Sequence, residues 1–210
     1  LSAGYAYTEA KDVSPMTSSV AFSNYATLAT SDPENPGAST SNYEIPPRFT
    51  LKAAYSKAFW GDYETRITLF GQANEGRPYS YVFGGRTGLI FGDSVGRDNR
   101  HLLYIPEGPT DANVIFADDF DTEAFFAWAD SQGLSRGRNV RRNELNSDWW
   151  IKFDIRVEQE LPGFRGNDTS SIFLVMENVG NFLNDDWGVQ YEASFPRAQP
   201  AVTASFNDQD

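Results

Sequence analysis

The sequence has no cysteine. That excludes disulfides, a thiolate nucleophile and cysteine-ligated zinc. It has one histidine, His101, which any Ser-His-Asp triad would have to use. No nucleophile-elbow motif accompanies it, so His101 reads as structural and no catalytic residue is singled out. No apolar run nears the roughly 18 residues of a membrane helix, and the mean hydropathy is -0.48. A helical membrane protein is thereby excluded. A membrane barrel is not, because its strands alternate apolar and polar residues and average out as hydrophilic. Basic residues are outnumbered, 17 against 29 acidic, for a net charge of -12. That balance argues against nucleic acid as a partner and against docking on an anionic membrane surface. The chain opens Leu1-Ser2-Ala3, without a Met or the basic and apolar regions of a secretory signal, and reads as processed or internal.

Hydrophobic residues make up 40% of the chain and aromatics 15%, too much apolar mass for disorder. The dominant period is two. Trp149, Ile151, Phe153, Ile155 and Val157 fall on one side of a strand over residues 149–160; Lys152, Asp154, Arg156 and Glu158 fall on the other. Its length suits the roughly 9–11 residues of a tilted membrane strand. A second strand is expected over 48–57, with Phe49, Leu51, Ala53 and Tyr55 on one face. A third starts at Tyr63, with Thr65, Ile67 and Leu69 beside it, breaks at 71–76 and has a candidate continuation over 78–83. A fourth covers 170–178, apolar on both faces from Ile172 to Met176, and reads as covered on both sides. A weaker candidate lies at 4–13.

The connections alternate in length. Residues 59–62 and 162–168 are short turns, whereas 14–47 and 84–148 are long. An up-and-down meander with short turns at one end and long loops at the other is the pattern of outer-membrane barrels. Within the long loops, residues 31–42 should be irregular. Residues 122–132 carry the single expected helix, with Asp121 or Thr122 as N-cap and Gly133 past its end. Five or six strands cannot close a barrel, which takes about eight, so either the chain is part of a larger barrel or it does not lie in a membrane.

Asn178-Val179-Gly180-Asn181-Phe182-Leu183-Asn184 resembles a signature of TonB-dependent outer-membrane receptors, in which a late strand ends in an Asn-apolar-x-Asn run. Glu44-Ile45-Pro46-Pro47-Arg48-Phe49 resembles that family's lead-in to a descending strand. Gly76-Arg77-Pro78-Tyr79-Ser80-Tyr81 resembles a strand rising above the membrane. Leu103-Tyr104-Ile105-Pro106 and Asp185-Asp186-Trp187-Gly188 are similar to the Oar-like branch. The resemblance implies an antiparallel transmembrane barrel of about 22 strands around a plug domain. Residues 1–210 would be a C-terminal portion without plug or final strand. The implied location is the bacterial outer membrane. The implied partners are outer-membrane lipid, the rest of the barrel and plug, TonB indirectly through the plug, and an unidentified extracellular ligand, with no cofactor and no enzymatic activity. In the family orientation Trp60 and Tyr63 fall at the periplasmic interface, and Trp149 and Trp150 near the outer one.

Other signals have plainer readings beside them. Trp149-Trp150 could stack on a sugar, but an interface anchor beside a lumen-facing ring is favoured. Asp118, Asp119 and Asp121 lack full calcium-loop spacing, and capping is favoured. Arg136, Arg138, Arg141 and Arg142 could capture an anionic ligand at the barrel mouth, but pairing with nearby carboxylates is favoured. The ladder Lys152, Asp154, Arg156 and Glu158 reads as a hydrated lumen wall or plug contact rather than a conduction path. The glycine-rich run 83–92 lacks a phosphate-loop lysine. Asn167-Asp168-Thr169 is a formal glycosylation sequon. The alternative class is a secreted β-sandwich acting as an adhesion or carbohydrate-binding module.

Overall fold

The computed structural model describes residues 1–85, 99–166 and 168–205. Most of the run 83–92 and Asn167 of the sequon lie outside the described residues. The strands of the first half are β1 (Ser2–Ala6), β2 (Lys11–Asp12), β3 (Ser39–Thr40), β4 (Arg48–Trp60), β5 (Tyr63–Asn74) and β6 (Pro78–Gly84). Those of the second half are β7 (Tyr104–Ile105), β8 (Arg138–Asn139), β9 (Leu145–Asn146), β10 (Trp150–Pro162), β11 (Thr169–Met176) and β12 (Ala198–Thr203). Two helices join them, α1 (Ala21–Thr27) and α2 (Thr122–Ser131). The chain divides into two compact units rather than one continuous barrel section.

Unit 1 comprises Leu1–Glu9, Ile45–Arg77 and Ser147–Glu192. It holds one five-stranded sheet in the order β1-β4-β5-β10-β11, antiparallel throughout. With the long excursions set aside, this is chain order, as a meander requires. The β4–β5 hairpin closes over Gly61-Asp62, with Trp60 opposite Tyr63. Gly61 has φ 62°, and a positive φ at the first central position matches the twist of flanking strands. The β10–β11 turn closes with Pro162 opposite Thr169, and Gly163 N–H donates to the Asp168 carbonyl at 2.8 Å. Because Gln159 pairs with Thr65, both short turns lie at the same end of the sheet. The long connections leave from the other end. The sheet is open, with β1 and β11 at its edges.

Two expectations for this sheet are corrected. β5 does not break at Gly71 but runs through it to Asn74. The glycine is there because a Cβ at 71 would lie 2.8 Å from Phe153 Cε1, so it makes room for a ring on the neighbouring strand. β11 is not covered on both sides: among the described residues it pairs with β10 alone, and Ile172 and Leu174 are 63% and 59% exposed. Its two-sided apolarity marks an edge strand, not a central one.

Unit 2 comprises Ala10–Glu44, Pro78–Asn146 and Ala193–Asp210, so the long excursions from the sheet carry a fold of their own. This corrects the expectation that they are long loops with one short helix. Its main core packs Leu103, Ile105, Phe125, Phe126, Ala129, Leu134 and Val140, and a smaller cluster holds Ala29, Val82 and Leu102. β6 is central, between β9 and β12, and its pairing with β12 is parallel. Among the described residues, strand pairing is therefore antiparallel except here and at one isolated bridge. β6 belongs to this unit and does not prolong β5. α2 matches expectation: Asp121 Oδ1 accepts from Ala124 N–H at 2.9 Å, and Gly133 beyond it has φ 69°. α1 departs from the expectation of a single helix. It has no side-chain cap and buries only Ala26, so neither a cap nor an apolar stripe marks it in the sequence.

Candidate functional site

The most unusual surface is the sheet of unit 1. Directly paired residues share a face, so register assigns both faces. One carries Tyr5 of β1; Phe49, Leu51, Ala53 and Tyr55 of β4; Ile67, Leu69, Gly71 and Ala73 of β5; Ile151, Phe153, Ile155 and Val157 of β10; and Ile172, Leu174 and Met176 of β11. It has no charge from Tyr5 to Met176 until Lys57 at the hairpin end. Its large side chains stand substantially exposed. Soluble monomers rarely leave apolar patches of more than a few hundred Å² bare, and within unit 1 this face spans all five strands.

The opposite face is charged. Along β10, Lys152 Nζ reaches Asp154 Oδ1 at 3.1 Å and Arg156 Nη2 reaches Glu158 Oε2 at 2.9 Å. Arg66 adds a longer pair to Glu64, at 3.6 Å. Arg156 also lies over the Phe173 ring at 4.4 Å. The residues predicted as a ladder are thus a row of alternating ion pairs with no net sign. Exposed pairs of this kind contribute about 1 kcal/mol or less each, so their importance is hydration, not stability.

Rings frame both ends of the apolar face. At the long-connection end Tyr5 meets Phe49 (4.9 Å) and Phe49 stacks on Trp149 (6.1 Å). At the hairpin end, strict alternation would put Trp60 on the charged face. The register shift between Ala58 and Trp60 turns it onto the apolar face opposite Tyr63. Trp60, Tyr63 and Trp149 are therefore brought to one face, in two rows. Trp150 lies on the charged face, where its Nε1–H donates to the Gly188 carbonyl at 2.9 Å.

The Asn178 motif forms a clasp that sequence reasoning did not resolve. Asn178 sits at φ 52°, and its N–H donates to Asp154 Oδ1 at 2.8 Å. A 3-10 turn, Val179–Phe182, follows. Asn181 Nδ2 donates to the carbonyls of Asp185 (2.7 Å) and Trp187 (3.3 Å). The spacing of the two asparagines was the only signal; that they bind loop carbonyls depends on the folded-back turn.

The arginine cluster of unit 2 is not a single site. Arg136 forks onto Asp130, with Nε to Oδ1 at 3.2 Å and Nη2 to Oδ2 at 2.6 Å, and its guanidinium covers Phe126 at 4.6 Å. Arg138 binds Glu144. Arg142 binds the Asp12 carbonyl and, at 2.9 Å, its carboxylate. Arg141 has no carboxylate partner among the described residues, though its N–H donates to Glu144 at 2.8 Å. Burial would raise the Glu144 carboxyl, but hydrogen bonds from Arg138 and Arg141 N–H, with both positive charges, hold it below the usual carboxylate range. His101 packs on Phe83 at 5.5 Å, and burial lowers its pKa. Among the described residues, no group of three or more His, Cys, Asp or Glu is placed to hold a metal ion.

No family model, curated protein or solved structure matches this chain. Its function is therefore read from the two faces of the sheet and the clasp.

Proposed function

We propose that this chain forms wall and external elements of a TonB-dependent outer-membrane receptor, a barrel that takes up a scarce or large ligand. The observation that carries this is the two-faced sheet. A continuous apolar face suits lipid, and a charge-paired face suits a hydrated lumen. The hairpin end, closed by Gly61-Asp62 and by the β10–β11 turn, is the periplasmic end. The end that sends out the long connections is the external one.

Dimensions support the reading. Phe49 and Phe59 are ten positions apart on β4, about 33 Å at some 3.3 Å per residue. A strand tilt of about 40° reduces that to roughly 25 Å of height, the apolar band of an outer-membrane barrel. Aromatic rings at both ends of that span suit two interfacial girdles. The bare edges of β1 and β11 would pair with the rest of the barrel, since an open edge has no partner in lipid. The partners are then outer-membrane lipid, the remaining barrel and plug, TonB through that plug, and an external ligand. A β-sandwich would need a second sheet across the apolar face, and unit 1 has one sheet.

The test uses the absence of native cysteine. Nitroxides attached one at a time to single cysteines over residues 150–160 are probed in membranes. Oxygen should reach Ile151, Phe153, Ile155 and Val157 positions best, and a water-soluble nickel chelate the alternate ones. Equal access of the chelate to both sets, or recovery of the chain as a soluble monomer, would sink the reading.

A further inference from the structure

We infer that the charged face of the sheet carries, on β4, a binding site for an anionic ligand, a group bearing carboxylates or phosphates, seated on Thr50 between Arg48 and Lys52. Three observations carry it. The first is charge. β4 holds three cations, Arg48, Lys52 and Lys57, and no acid, in a chain whose net charge is -12. The other basic side chains of the charged face each have a carboxylate: Arg66 has Glu64, Lys152 has Asp154 and Arg156 has Glu158. Arg48 and Lys52 have none among the described residues. The register gives the reason. Arg48 stands between Ala6 of β1 and Asn74 of β5, and Lys52 between Ser2 and Phe70, so no acid lies directly across from either. Asp154, one strand beyond Phe70, is already engaged by Lys152 and the Asn178 N–H.

The second is an unmet donor. Arg48 Nε is buried and has no acceptor among the described residues. Buried donors nearly always have one, and a ligand oxygen at this position would supply it.

The third is room at one common position. Alongside β4 on this face, β1 presents Ser2, Gly4 and Ala6, all small. Gly4 lies opposite Thr50, and a Cβ there would come within 2.8 Å of Thr50 Oγ1. The hydroxyl therefore leans over a place where no side chain stands. Arg48 and Lys52 flank Thr50 at the adjacent positions of the same face, each about 7 Å away along the strand. A ligand seated on Thr50 is within reach of both. A guanidinium, a hydroxyl and an ammonium all donate, and the two charged donors make their strongest bonds to carboxylate and phosphate oxygens. A neutral sugar would leave both charges uncompensated. That this bed faces a barrel lumen near its external end rests on the proposed function, and there it would make the transported ligand an anion; the affinity for an anion does not rest on it.

Isothermal titration of the full chain in neutral detergent tests this, with citrate, inorganic pyrophosphate and maltotetraose as probes. At least one of the two anions should bind. Arg48→Gln and Lys52→Gln should each weaken it at least fivefold, with Arg48→Lys retaining part of the affinity. Lys52 is exposed, so its variant keeps the test decisive should Arg48→Gln fail to fold. Lys57→Gln, on the same strand but the apolar face, should leave binding unchanged. Citrate alone would mark a carboxylate ligand, and pyrophosphate alone a phosphate. An equal loss in the Lys57 variant, no loss in the Lys52 variant, or binding of maltotetraose in place of the anions would overturn the inference. So would capture of phosphatidylglycerol micelles with neither small anion bound, which would give this face to lipid headgroups. If the nitroxide pattern on β10 fails while an anion binds, the site stands and the barrel falls; the reverse result removes the site only.

Discussion

Phe153 on β10 occupies the space that a side chain at Gly71 on β5 would need, with its Cδ1 and Cε1 3.0 and 2.8 Å from the position of a Cβ there. Two neighbouring strands thus share one ring's volume, and the apolar face stays level across the junction. Gly71→Ala should therefore destabilise the sheet by about 1 kcal/mol, since the ring can tilt, and Gly71→Val by about 2–3 kcal/mol. Phe153→Leu should suppress the effect of Gly71→Ala. Denaturant titration of the four members of that double-mutant cycle checks it; additive losses would refute the coupling.

The α2 cap gives a separate handle on unit 2. Asp121→Ala removes the acceptor of the Ala124 N–H bond and should cost about 1 kcal/mol. Asp121→Asn should restore most of it, because an amide oxygen caps as well as a carboxylate. Thermal unfolding of the three proteins reads this directly, and equal losses for both variants would show that charge, not the cap bond, matters.

How much of this was legible follows from how far each signal reaches along the chain. The alternation that marks β4, β5 and β10 is local, and so are the two short turns, so the sheet and its faces could be read directly. Whether a strand is central or at an edge depends on partners elsewhere, so the two-sided apolarity of β11 points to cover that the sheet does not supply. The parallel pairing of β6 with β12 joins Ser80 to Ala198, a match no window of sequence contains. The favoured reading of the arginine cluster was pairing with nearby carboxylates. Arg136 and Arg138 do pair within six residues, but Arg142 binds Asp12, 130 positions away. For Trp60, alternation predicts the wrong face, and only the register shift after Ala58 corrects it. The asparagine motif was visible, but what it holds was not.

His101 offers a clean titration because it is the only histidine. Burial disfavours its charged form, and the charge of Arg100 adds to this, so its folded pKa lies below 6.5. The unfolded chain then binds more protons as the pH drops, and unit 2 should lose stability as pH falls from about 6.5 through the folded value. The ring protons in an NMR titration should give a midpoint under 6.5. A midpoint at or above that value would mean the ring is solvated.

Glu144 acts in a lower window. Its folded carboxyl is held below the ordinary 4.5, so the contribution is present above that pH and lost as pH falls through the folded value. After solvent screening of a partly exposed pair, about 1 kcal/mol is at stake. Glu144→Gln should flatten the acid limb of the stability curve below pH 4.5 and leave the His101 limb in place. A curve unchanged by the substitution would show that Arg138 and Glu144 are not coupled in solution.

Gly188 is where the clasp admits least change. Its φ is 73°, and a Cβ there would run into the Asn178 side-chain amide. Gly188→Ala should therefore cost about 1–2 kcal/mol in backbone conformation alone, and displace the amide that binds the Trp187 carbonyl. Asn178→Gly keeps the positive φ available but removes the side-chain bond, so it should loosen the loop with less backbone cost. Hydrogen exchange separates these effects. The amides of Leu183, Asn184 and Trp187, which bond within the loop, should exchange faster in both variants, most in Gly188→Ala. Those of β5 and β10, held by the ladder of the sheet, should keep their protection. Faster exchange throughout the sheet would mean that the clasp supports the sheet itself rather than only the loop it fastens.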